Sequence, residues 1–222
     1  DFEGNKFDIS VGRGLMHGDL HAENILIDGP REISNYYFID FSFFQSESPI
    51  LFDHAYLELS LLLNAREGVA HQRWHQLCRS LVNMEDPREA QSAVNLDDQG
   101  LVWTIGMIRA EIGKWIEKNY PQRKEDLKKQ RLLSRVSAGL NFANKRQLAD
   151  DTSISNKKKF FSLLYAAIAA KELFEYCHLH IKNDGPVARP EGEIDRPSGD
   201  EWHDVWKACE NFNASRAAYV LI

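Results

Sequence analysis

LMHGDLHAENILIDG, residues 15–29, and YYFIDFSFF, residues 36–44, decide how this chain is read. The first stretch opens with eight residues dense in polar groups, His17-Gly18-Asp19-Leu20-His21-Ala22-Glu23-Asn24, and runs into the apolar triplet Ile25-Leu26-Ile27. Asp28-Gly29-Pro30 is a turn signal, because glycine accepts positive φ and proline cannot extend a ladder. The second stretch is apolar from Tyr36 to Ile39 and ends on Asp40. Two strand-like runs about a turn predict a β-hairpin, with Asp19, Asn24 and Asp40 gathered at its open end.

Those three groups suggest a chemistry. An Asn carbonyl and an Asp carboxylate are hard oxygen ligands that suit Mg²⁺, which keeps waters and completes its shell with phosphates. Asn24 and Asp40 can fill that role, leaving Asp19 to accept a proton from an attacking hydroxyl. A carboxylate ending an apolar run is costly to bury unless it binds metal or accepts hydrogen bonds, which makes Asp40 a functional candidate. His17 reads as a histidine satisfied within the loop. His17-x-Asp19-x-His21 also has the spacing of metal ligands. With Asp53-His54 as a second cluster, it gives a metal-dependent hydrolase as an alternative.

Helical signals dominate the rest. Asp53 is placed to cap a helix that carries Ala55, Leu59, Leu62 and Leu63 on one face. A second helix is expected over residues 71–82, and a loop over 84–95. Leu101, Ile105, Ile108, Ile112 and Trp115 form one stripe of an amphipathic helix over residues 101–118. Residues 124–148 give another, with Lys124, Lys128, Lys129 and Arg135 as a basic outer face. Residues 158–180 are apolar almost all round and so belong in a core. Residues 1–14 read as an irregular lead-in with a short strand over 7–11. Residues 183–199 read as a mobile loop, and residues 200–222 as a last helix with Val205, Trp206, Cys209 and Phe212 facing inward. The expectation is a mainly α protein with a small β-hairpin, an α+β lobe over residues 15–182, with the hairpin in 15–44 and helices in 53–182.

Composition sets limits. The chain has 222 residues and a formal charge of −6, which excludes a broad nucleic-acid footprint. No apolar run is long enough to span a bilayer. Three cysteines with no CxxC pair exclude a zinc ribbon and point to a reducing, cytoplasmic setting.

The residues quoted above carry a family resemblance. HGDLHAEN resembles the H-x-D-x-x-x-x-N catalytic loop of the protein-kinase-like superfamily. Gly18 and the second histidine bring it closest to the aminoglycoside phosphotransferase and choline kinase branch. Ile39-Asp40-Phe41-Ser42 resembles that branch's metal-binding segment, and Phe52-Asp53-His54-Ala55-Tyr56-Leu57-Glu58 is similar to its helix-opening segment. The resemblance implies the carboxy-terminal lobe of a kinase-like fold, with Asp19 as catalytic base, His17 as loop support, and Asn24 and Asp40 as ligands of Mg²⁺ with ATP as phosphate donor. The acceptor the resemblance implies is a small-molecule hydroxyl bound among the helices after Asp53, where acidic residues would suit a cationic one. The nucleotide-gripping lobe is not in these residues. Only sixteen precede His17, Gly12-Arg13-Gly14 is not a G-x-G-x-x-G, and Lys6 has no strand-lysine context. That lobe is expected upstream of Asp1. The rival reading is an inactive kinase-like binding or regulatory module of a larger protein.

Overall fold

The helix periods of the sequence produce a mainly helical protein with two small two-stranded sheets. In a computed structural model the described residues are 9–28, 35–64, 74, 77, 78, 81, 99–146 and 148–181. The strands are β1 (Arg13–Met16), β2 (Ile25–Asp28), β3 (Asn35–Phe38) and β4 (Gln45–Pro49). The helices are α1 (Phe52–Asn64), α2 (Gln99–Asn119), α3 (Lys124–Asn144) and α4 (Thr152–Ile181). Positions 74, 77, 78 and 81 are also helical, inside the helix expected over 71–82.

β2 and β3 form the expected hairpin, antiparallel with Ile25 opposite Phe38 and Asp28 opposite Asn35. A second sheet was not expected: β1 pairs antiparallel with β4, Arg13 opposite Pro49 and Met16 opposite Gln45. Polar β4 carries no apolar alternation, and its pairing rests on the backbone. β1 therefore takes the end of the expected lead-in, two residues beyond the strand placed at 7–11. Its root is fixed by a helix: the Gln130 side chain accepts from the Gly12 amide at 2.8 Å and donates to the Gly12 carbonyl at 2.9 Å.

The main core joins one face of α1 (Ala55, Tyr56, Leu59, Leu62, Leu63) to Trp74, Leu77, Cys78, Leu81, Ile105, Phe142, Phe161 and Tyr165. Each buried Leu of this set contributes about 2 kcal/mol by leaving water. Trp74 and Phe161 stack at 4.5 Å between centroids. α3 and α4 cross closely at Gly139, where a Cβ would lie 2.6 Å from the Ser162 carbonyl oxygen and 2.7 Å from the Ala166 Cβ.

One buried polar network runs through this core. Glu58 of α1 accepts from Arg109 Nε at 2.9 Å, again from the other arm of that guanidinium, and from Tyr165 at 2.7 Å. Arg135 stands 3.8 Å away. Burial pushes the Glu58 carboxyl up, but Arg109 and Arg135 outweigh it and bring it down to about 2.

Several expectations need correction. Arg135 is not on an outer basic face; it is buried beside Glu58. Trp115 lies off the apolar stripe and is 42% exposed, while Ile116, one position on, is buried. α3 stops at Asn144, before residue 148. α4 is sided, with Phe161, Tyr165, Ile168 and Ala169 buried and Phe174 44% exposed. The expected loop 84–95, the mobile loop 183–199 and the last helix 200–222 lie outside the described residues. Among the described residues no helix is long and apolar enough to cross a membrane.

Candidate functional site

The loop that follows β1 is held at both ends by groups remote in sequence. The amides of His17 and Gly18 donate to the two carboxylate oxygens of Asp53, at 2.6 and 2.9 Å. Asp53 sits in the first turn of α1. It was expected to cap its own helix, but its carboxylate is spent instead on the two free amides where β1 ends. Gly18 has φ +86°, and a Cβ there would meet the Phe43 carbonyl oxygen at 2.5 Å. Only glycine meets both conditions.

His17 is buried. Its Nε2 lies 2.8 Å from the Ile39 carbonyl. A carbonyl only accepts, so Nε2 carries the proton. The ring packs on Phe41 at 4.9 Å. Asn24, also buried, donates its amide to the Asp19 carbonyl at 2.9 Å, which leaves its own side-chain oxygen as an acceptor. The Asn24 carbonyl in turn receives the Ile39 amide at 3.1 Å. His17 and Asn24 thus grip opposite polar groups of Ile39 and fix where Asp40 begins.

Asp40 departs from the expectation of a buried carboxylate. It is exposed, in the left-handed region with φ 57°, and accepts from the Ser42 hydroxyl at 2.5 Å and the Ser42 amide at 3.4 Å. An Asp tolerates this conformation because its short side chain bonds locally. The carboxylate closes its own turn with one oxygen and keeps the other.

Asp19 faces the helices. One oxygen, Oδ1, accepts from the Tyr56 hydroxyl and from Lys145 Nζ at 3.1 Å. Among the described residues the other, Oδ2, has His21 nearest it, at 3.7 Å, and accepts no hydrogen bond. Partial burial pushes the Asp19 carboxyl up, but the hydrogen bonds from Tyr56 and Lys145, with the charges of Lys145 and His21, hold it below the ordinary carboxylate range. Burial and then the Asp19 carboxylate push the Tyr56 hydroxyl well above its own range, so Tyr56 stays a donor. Lys145 follows α3, and its ammonium lies over the rings of Tyr56 and Phe142, 5.1 and 4.9 Å from their centroids.

His17, Asp19 and Asn24 are thus linked by hydrogen bonds through the backbone of the loop and of Ile39, and Asp40 follows Ile39 in the chain. Sequence reasoning missed Tyr56 as a partner of Asp19, Lys145 altogether, and the real work of Asp53. Among the described residues the Asn24 side-chain oxygen and the second Asp40 carboxylate oxygen accept no hydrogen bond, and both are of the oxygen type that a hard divalent cation takes. Among the described residues no group of three or more His, Cys, Asp or Glu side chains is placed to hold a metal, and His17 has spent Nε2 on Ile39. Glu23 is a solvated loop residue, 82% exposed.

Residues 5–138 match the model of a family described as ternary complex associated domain 9. No curated protein and no solved structure matches the chain.

Proposed function

We propose that this chain, which belongs to the ternary complex associated domain 9 family, is the catalytic, acceptor-binding lobe of a phosphotransferase that moves the γ-phosphate of ATP to a small-molecule hydroxyl. The observation that carries the reading is the unequal use of the two Asp19 oxygens. Tyr56 and Lys145 saturate Oδ1, and Oδ2 remains open to an incoming hydroxyl. A carboxylate of depressed pKa is a weak base. That suffices where the hydroxyl loses its proton late, as in a loose phosphoryl-transfer transition state.

In this reading Asp19 orients the acceptor hydroxyl and takes its proton at Oδ2. His17 positions Ile39 and so the start of Asp40. Asn24 and Asp40 are the residues that would hold Mg²⁺, which when bound would offset charge on the phosphates. The lobe corresponds to the carboxy-terminal half of a kinase-like fold. Its nucleotide would be gripped by a further lobe or domain of the same protein.

The test is phosphoryl transfer from MgATP in the full-length protein. Asp19→Asn is expected to lower transfer by about 10²–10⁴-fold, the usual worth of a positioned general base, with the melting temperature kept. Wild-type turnover in that variant would remove Asp19 from the mechanism.

A second reading is favoured by a specific observation. Ten large apolar side chains between Leu15 and Phe44 are 37–72% exposed, among them Leu26, Ile27, Tyr36 and Tyr37 of the hairpin. Exposed apolar residues in such number mark an association site, and the family is described by association in a ternary complex. The hairpin would then be a docking face of a binding or regulatory module. Melting with MgATP separates the two readings, since a ligand that binds the native state raises its stability. A rise lost in Asp40→Ala supports the enzyme, and no rise in the full-length protein supports the module.

A further inference from the structure

We infer that Lys145 sets the charge class of the acceptor: it bars a cationic acceptor and admits a hydroxyl compound that carries a carboxylate or a phosphate. The inference rests on Asp19 as the base and names the substrate class for that same site.

A carboxylate beside two aromatic faces is a corner made for a cation. Asp19, Tyr56 and Phe142 form such a corner, the two rings 4.4 Å apart and tilted by 36°. Acidic residues near the site fit the same expectation. The corner is already filled. Lys145 places its ammonium 3.1 Å from Asp19 Oδ1 and over both rings. Its root is fixed as well, for the Lys145 amide donates to the Phe142 carbonyl at 3.2 Å. This is the carbonyl-rich end of α3, where a cation is favoured. The protein's own charge thus occupies the place that would attract a cationic acceptor, and repels one that approaches Oδ2.

The same ammonium can serve an anion. Of its three donors, one goes to Asp19, and the side chain is 36% exposed. The turn between α3 and α4 carries one further cation, Arg146, and two carboxylates, Asp150 and Asp151, at its far end. Arg146 is exposed, and Lys159 donates to the Arg146 carbonyl at 3.1 Å. Asp151 is turned to capping α4, accepting from the amides of Ser153 and Ile154 at 2.7 and 3.0 Å. An acceptor with its hydroxyl at Asp19 Oδ2 would find the Lys145 ammonium beside it. Its anionic group would take the charge-assisted bonds that Lys145 can still make.

The probes are three small hydroxyl compounds of different charge: glycerol 3-phosphate, glycerol and choline. Each is titrated into the full chain at pH 7, without nucleotide or Mg²⁺, and the backbone amide resonances of His21, Lys145 and Arg146 are followed. Glycerol 3-phosphate is expected to shift them saturably and choline to leave them unmoved. Lys145→Gln is expected to weaken that binding about tenfold or more, the worth of a hydrogen bond to a charged group. Lys145→Arg keeps the cation and is expected to retain most of the affinity. The inference is overturned if glycerol 3-phosphate gives no saturable shift, if choline gives one, or if Lys145→Gln binds as the wild type does. Binding through Lys145 in a full-length protein that never forms ADP from MgATP would sink the phosphotransfer reading and leave the anion site standing. ADP formed with choline as acceptor would do the reverse.

Discussion

The amides of His17 and Gly18 both end on the carboxylate of Asp53, and without it two donors at the base of the loop would lie partly buried with no acceptor. Hydrogen bonds to a charged group are worth about 1.5–3 kcal/mol each, and neighbouring ones do not add fully. Asp53→Ala is therefore expected to cost about 3 kcal/mol in urea unfolding at neutral pH, and Asp53→Asn, which keeps one acceptor oxygen, about half as much. A loss below about 0.5 kcal/mol in the alanine variant would mean that water replaces the carboxylate at no cost. At this scale the legible residues are those that lie close together in sequence. His17, Asp19, Asn24 and Asp40 come from one stretch whose strand-turn-strand pattern places them. Asp53 was legible only as a cap, because capping needs nothing beyond the local chain. Lys145 is 126 positions from Asp19, and no local signal points to it.

α3 and α4 form the most extensive contact between elements, and Gly139 sets how closely they approach. The atoms a Cβ would strike there include the Ser162 carbonyl and the Ala166 amide nitrogen, which are backbone and cannot rotate away. Gly139→Ala is expected to force the helices apart and destabilise the protein by about 1–3 kcal/mol, despite the better helix propensity of alanine, as read in thermal unfolding. A stabilised variant would show that the crossing has slack. Helix existence was legible from the 3.6-residue period, and α1, α2 and α3 begin within two residues of where the spacing puts them. The facing of single residues was less so. Trp115 and Ile116 are neighbours on the helix, and which one turns inward depends on where α1 and α3 lie. Arg135 looks like surface charge until Glu58, 77 positions earlier, is brought beside it. β4 was illegible because its side chains carry no alternation and its pairing with β1 is made by backbone groups.

Across the whole molecule, acid should be the condition that opens the bundle. Glu58 is held ionised in the core, its carboxyl lowered from 4.5 to about 2 by Arg109 and Arg135. A group depressed in the folded state contributes stability that is present in full above the unfolded value and is lost as pH falls through the folded one. The loss is expected between about pH 4.5 and pH 2 and amounts to about 3 kcal/mol. Urea unfolding at a series of pH values measures it. In Glu58→Gln, destabilised at neutral pH because two arginines lose their anion, the slope over that window should flatten. An unchanged slope would place the acid sensitivity elsewhere. The Gln130 clip on Gly12 has a further consequence, in the order of events as the chain folds. A helix side chain takes the Gly12 amide and shares the Gly12 carbonyl with the Ile50 amide there, across 118 residues of sequence. Closing so long a loop carries an entropic cost that the contact repays only once α3 is formed and docked. We therefore expect the strand root, and the loop it feeds, to be finished after the helices: in this protein the candidate site is assembled last.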